Sequence, residues 1–110
     1  MWVFTTSGFL SAVYKDGALQ VRARDRKSLD ALAKSTGATI IATPLADYPY
    51  RIAITNEQFS NWLSQQVLAI DYKNFKSEIA DTRGYGFAKP LNKVWSVMHE
   101  VEDSKARARG

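Results

Sequence analysis

The sequence predicts an α+β fold: an antiparallel sheet with helices packed on one face, in the order ββαββα with a further C-terminal helix. Three observations carry this. Short alternating segments fill the N-terminal half, an Asp-Gly pair joins two of them, and no strand–helix–strand repeat is long enough to wind a parallel sheet. A circularly permuted ferredoxin-like connection is one way to link these elements.

The first hairpin is the clearest. Residues 9–14 are apolar and aromatic, Lys15-Asp16-Gly17 carries the turn, and residues 19–24 alternate. Alternation places Leu19, Val21 and Ala23 on the core face and Gln20, Arg22 and Arg24 on the other. Upstream, residues 1–6 are also β-prone, and Gly8 is either a bulge within one long strand or the turn between two short ones.

Asp25 is expected to cap a short helix that runs to Ser35, with Leu29, Leu32 and Ala33 at helical spacing and Gly37 as a left-handed stop. Residues 39–43 are β-branched and read as a strand ended by Pro44. After a Pro-bounded loop, residues 50–54 alternate again, with Tyr50, Ile52 and Ile54 on one face and Arg51 and Ala53 on the other. Thr55 and Gln58 have capping-box spacing, so the main helix should begin there. Its expected stripe is Phe59, Leu63, Gln66 or Val67, and Ile70, flanked by Trp62. Asp71 can cap a further turn, which puts Tyr72, Phe75 and Ile79 near one face. Residues 80–86 contain two glycines and read as a loop. A last helix is expected to start near Pro90, with Leu91, Val94, Trp95, Met98 and Val101 as its apolar stripe.

Length and composition fit one α+β domain over residues 1–103, followed by a flexible basic tail at 104–110. The net charge of +4 is unevenly spread. The tail holds Lys105, Arg107 and Arg109 and no acid, which leaves the remainder nearly neutral. A second basic cluster lies at Arg22, Arg24, Arg26 and Lys27, relieved only by Asp25. The chain has no cysteine, which removes disulfides, thiolate nucleophiles and cysteine-based zinc sites and makes the reducing cytoplasm the expected compartment. No signal sequence or membrane-spanning run is visible, so no membrane partner is expected.

His99 is the only histidine, so one chain cannot assemble a two-histidine metal site or a His–Cys dyad. Its simplest role is that of a residue near a helix C-terminus. Asp47 and Asp71 each precede a tyrosine and can be imagined as a carboxylate pair for acid–base work or Mg²⁺. Both stand where aspartate commonly bonds local backbone N–H groups, and that role is preferred. No glycine-rich phosphate loop is present: Arg83-Gly84-Tyr85-Gly86-Phe87 has only a G-x-G, and its likeness to an RNA-recognition strand is superficial. No cofactor is implied.

The most unusual string is Asp47-Tyr48-Pro49-Tyr50-Arg51. Arg51 is expected beside Arg22 and Arg24 on one sheet face, and with Tyr48 and Tyr50 they suit a phosphate-bearing or nucleobase ligand through pairing and stacking. The alternative is a fixed turn with one ring in the core and the arginines on a solvated face. Asp71, Tyr72, Lys73 and Lys76 form a second candidate binding segment.

Several strings taken together, Met1-Trp2-Val3, Gly8-Phe9, Val21-Arg22-Ala23-Arg24, Asp47-Tyr48-Pro49-Tyr50-Arg51, Ile70-Asp71-Tyr72 and Val94-Trp95, resemble a widespread family of small bacterial proteins of about this length. That family has no established activity, so the resemblance implies a module over residues 1–98 with the tail outside it.

The expected function is a non-catalytic binding module whose ligand is nucleic acid. The alternative is a protein-interaction or regulatory protein, including a phage- or plasmid-borne inhibitor of a host complex. A third class is a small enzyme using Asp47, Asp71, Tyr48 or Tyr72. An open sheet edge and three tryptophans also allow a homodimer.

Overall fold

Period-two alternation in the N-terminal half becomes a five-stranded antiparallel sheet. In chain order the strands are β1 (Trp2–Thr5), β2 (Gly8–Lys15), β3 (Ala18–Ala23), β4 (Ile41–Ala42) and β5 (Tyr50–Ile54), arranged in space as β1-β2-β3-β5-β4. The computed structural model describes residues 1–103. The basic tail expected at 104–110 lies outside the described residues. The chain divides into two compact units, Met1–Lys73 and Asn74–Gly110.

In the first unit, Lys15 pairs with Ala18, so Asp16 and Gly17 alone make the β2–β3 turn. Their φ values of 54° and 79° are the positive pair that a two-residue hairpin of right-twisted strands requires. Gly8 resolves as the end of a turn. Thr5 pairs with Gly8 across Thr6 and Ser7, and the φ of 142° at Gly8 favours glycine there.

Leu10, Ala12, Val21, Ala23, Ile52 and Ile54 form the core face of the sheet, joined by Leu29 and Leu32 from helix α1 (Lys27–Thr36) and by Phe59 and Trp62 from helix α2 (Asn56–Leu68). Both helices thus cover the face that alternation assigned to the core. α1 begins later than expected. Arg26 occupies the cap position without a side-chain bond, while Asp25 accepts a hydrogen bond from the Ser28 hydroxyl. Gly37 ends the helix in the left-handed conformation as expected.

The strand expected over 39–43 shrinks to two residues. Pairing with β5 involves only Ile41 and Ala42, and Thr43 N–H then bonds the Pro49 carbonyl at 2.7 Å across the loop. At the start of α2 the capping box forms in full: Thr55 Oγ1 accepts from Gln58 N at 3.1 Å, and Gln58 Oε1 accepts from Thr55 N at 2.9 Å. The buried stripe of α2 differs from the expected one. Phe59 and Trp62 are buried and Leu63 is half-buried, whereas Val67 and Ile70 are 64% and 54% exposed. The two aromatic rings stack at 6.3 Å, so the core contact of α2 is concentrated in its N-terminal half.

The second unit, as described, is a helical pair followed by one 3₁₀ turn. α3 spans Phe75–Arg83 and α4 spans Tyr85–Val97, with the turn at Met98–Val101. Asn74, not Asp71, caps α3, its Oδ1 accepting from Ser77 N at 3.0 Å. The expected loop at 80–86 is helical except at Gly84, whose φ of 89° breaks the chain between the two helices. Pro90 lies inside α4 and does not start it. Ile79 and Ala88 are buried, but the stripe expected for the last helix is not: Val94, Trp95, Met98 and Val101 are all exposed.

Candidate anion-binding site

The sheet face opposite the core cluster takes its side chains from every second residue. These are Trp2 and Phe4 on β1, Phe9, Ser11, Val13 and Lys15 on β2, Ala18, Gln20 and Arg22 on β3, Ile41 on β4, and Arg51 and Ala53 on β5. No acid stands among them. Register aligns five of these in one row across the sheet, which ends at Ile41 beside Arg51. Trp2 pairs with Ser11, Ser11 with Arg22, and Arg22 with Arg51.

Tyr48 reaches this row from the loop before β5. Proline at position 49 disfavours helical backbone at Tyr48 and so holds the approach to β5 extended. The Tyr48 carbonyl accepts from Arg51 Nη2 at 3.3 Å. The ring is only 7% exposed, with the guanidinium carbons of Arg22 and Arg24 each 4.5 Å from its centroid. Such cation–π contacts let two like charges share one aromatic neighbour.

The remaining donors are unevenly satisfied. Arg22 Nη2 donates to Ser11 Oγ at 2.9 Å, and Ser11 is buried. Arg24 Nη1 donates to the Asp47 carbonyl at 2.7 Å and lies 3.5 Å from the Asp47 carboxylate, an exposed pair of small energetic weight. Arg22 and Arg51 have no carboxylate partner among the described residues, and the Nε of each is buried without a hydrogen-bond partner. Two permanent cations therefore meet across β3 and β5 with donor capacity left over. Planar guanidinium forks are suited to phosphate and carboxylate oxygens.

The structure brings together Arg22, Arg24, Asp47, Tyr48 and Arg51, and the other candidates are placed as follows. Tyr50 points to the opposite face, pairs with Ala23 and packs on the core. Asp71, Tyr72 and Lys73 lie in the segment after α2, with Asp71 and Lys73 exposed. Lys76 belongs to α3, where its ammonium is 4.5 Å from the Trp95 ring centroid. The ionic and hydrogen-bonding contacts of Asp47 are with Arg24 and none is with Asp71. His99 contacts Glu102 and meets the Trp95 ring edge-on at 4.9 Å. Among the described residues, no group of three or more His, Asp or Glu is placed to hold a metal ion, and no helix is long and apolar enough to cross a membrane.

Sequence reasoning missed the aromatic half of the face. Phe4 stacks on Phe9 at 4.8 Å, Trp2 meets Phe9 edge-on at 5.9 Å, and Phe9 lies 6.4 Å from Tyr48. The signal was present: once Val3 is assigned to the core face, Trp2 and Phe4 must fall on the other.

No family model, curated protein or solved structure matches this chain. The site is therefore defined by its own geometry.

Proposed function

We propose that the protein is a non-catalytic cytoplasmic binding module that holds the phosphates of nucleic acid on the sheet face formed by Arg22, Arg24 and Arg51. The observation that carries this reading is the register pairing of Arg22 with Arg51, two cations without a carboxylate partner among the described residues. A phosphate seated beside them supplies the missing negative charge and acceptors for the guanidinium Nη groups. Serine at position 11 supports the arrangement by fixing Arg22 through its hydroxyl.

Oligonucleotide binding measured across a salt series tests it. Each phosphate contact contributes a slope of about −0.7 in log K against log salt for single strands, so Arg22→Gln or Arg51→Gln should each make the slope shallower by about that amount. Absence of binding at low salt defeats the reading, as does binding that vanishes when residues 104–110 alone are removed.

A second reading, protein interaction, is favoured by the exposed apolar residues of α4 and the turn after it: Trp95 at 58%, Val97 at 57% and Met98 at 51%. Trp95→Glu tests it by abolishing any self-association seen by sedimentation. A chain that is monomeric at all concentrations excludes the homodimer form of this reading.

A further inference from the structure

The sequence pointed to Tyr48 and Tyr50 as stacking residues, and the structure leaves neither available: Tyr48 is 7% exposed beneath two guanidinium groups, and Tyr50 faces the core. Exposed ring surface on the arginine-bearing face lies elsewhere. Trp2 is 71% exposed and Phe4 is 37% exposed, and both contact Phe9 on the neighbouring strand, Phe4 by stacking and Trp2 edge-on.

We infer that Trp2 and Phe4 form a base-stacking platform and that the ligand of this face is single-stranded nucleic acid running across the strands. This rests on the phosphate-binding reading of Arg22 and Arg51. The row Trp2, Ser11, Arg22, Arg51 crosses four neighbouring strands. With strands about 4.8 Å apart, Trp2 stands about 10 Å from Arg22 and about 14 Å from Arg51 along the row, a separation that a few nucleotides of extended chain bridge. A base unstacked onto the indole leaves the following phosphates over the guanidinium groups. Duplex bases are already stacked on one another, so a duplex offers the arginines its backbone and offers Trp2 nothing. Ser11, buried between the two ends of the row, gives it a neutral middle.

The ring positions are held in a way that suits the role. Phe9 contacts both rings, and the Met1 ammonium donates to the Ala12 carbonyl at 2.8 Å while Ala12 N donates to the Met1 carbonyl, which fixes the start of β1 one residue before Trp2. An exposed aromatic on a strand whose start is tied to β2 by two reciprocal hydrogen bonds loses little backbone freedom when a base stacks on it.

The test compares a labelled oligothymidylate, a duplex of equal length and inorganic polyphosphate, each titrated into wild type, Trp2→Ala, Trp2→Phe and Arg51→Gln across a salt series. Trp2→Ala should weaken oligothymidylate binding about 5- to 100-fold with the salt slope unchanged, and Trp2→Phe should recover most of the loss. Polyphosphate binding should be insensitive to both Trp2 substitutions and sensitive to Arg51→Gln. Urea unfolding of Trp2→Ala verifies that the fold is retained, and Phe4→Ala serves in its place if it is not. Equal affinity for duplex and single strand, or an unaltered affinity in both Trp2→Ala and Phe4→Ala, overturns the stacking inference while polyphosphate binding keeps the anion site standing. Failure of all three polyanions to bind overturns both.

Discussion

Arg22 on β3 and Arg51 on β5 are direct register partners, and among the described residues neither has a carboxylate beside it. Like charges directly opposite each other in a sheet destabilise it, by an amount of the same order as the 0.2–1 kcal/mol that favourable pairs contribute. Substituting Arg51→Gln relieves that repulsion and removes one long hydrogen bond, Nη2 to the Tyr48 carbonyl at 3.3 Å. The two effects oppose and are of similar size, so stability to urea should change by less than about 1 kcal/mol. Polyphosphate should raise the Tm of wild type and do so much less for Arg51→Gln, because only a folded state that binds the anion is stabilised by it. A large loss of stability in Arg51→Gln without ligand would show that the arginine is structural.

The core of the first unit makes a second, sharper contrast. Trp62 is 3% exposed and stacks on Phe59, while Val67, five residues further along the same helix, is 64% exposed. Trp62→Ala should cost about 3–5 kcal/mol in urea unfolding, the range for aromatic truncation in a packed interior. Val67→Ala should cost no more than about 0.5 kcal/mol, as for surface positions generally. A cost near 2 kcal/mol at Val67 would mean that the C-terminal half of α2 is covered in solution.

How far these features could be read in advance depended on whether local signals agreed. Strand β5 was legible residue by residue, because Tyr50, Ile52 and Ile54 alternate with Arg51 and Ala53 and a proline precedes them. The same alternation put Arg51 on the face of Arg22 and Arg24, but the pairing of β5 with β3 that makes Arg22 and Arg51 direct partners is a tertiary choice that alternation does not encode. The α3–α4 junction was misread because Gly84 and Gly86 look equivalent in sequence. Only Gly84 uses a positive φ, at 89°, while Gly86 is an ordinary helical residue with open space around it. Pro90 misled for a related reason: proline favours a first turn, but the helix had already begun at Tyr85. Neither Tyr48 nor Trp2 could be assigned to its role from alternation alone, since one sits in a loop and exposure depends on what the tertiary fold lays over each ring.

Capping at Thr55 makes a prediction confined to one helix end. Thr55 Oγ1 and the Gln58 side chain each satisfy a backbone N–H that α2 would otherwise leave without a partner. Thr55→Ala should lower stability by about 1 kcal/mol, whereas Thr55→Ser should hold within a few tenths of it because the acceptor is retained. Equal losses in the two variants would show that the threonine methyl, and not its oxygen, matters here.

The β2–β3 turn tests the register on which the arginine row depends. Asp16 is the only non-glycine residue with positive φ among the described residues, at 54°, and Gly17 follows at 79°. Asparagine tolerates the left-handed region at least as well as aspartate, so Asp16→Asn should leave stability unchanged or slightly raised. A β-branched residue there forces its Cβ against the following carbonyl, and Asp16→Val should cost about 1–2 kcal/mol. The consequence reaches the site. A turn that lengthens by one residue to escape the strain slips β2 against β3, and a one-residue slip carries Ser11 away from Arg22. Asp16→Val should therefore weaken polyphosphate binding even under conditions where the protein remains folded, and Asp16→Asn should not. Folded Asp16→Val protein with undiminished binding would mean that the Ser11–Arg22 alignment is dispensable to the anion site.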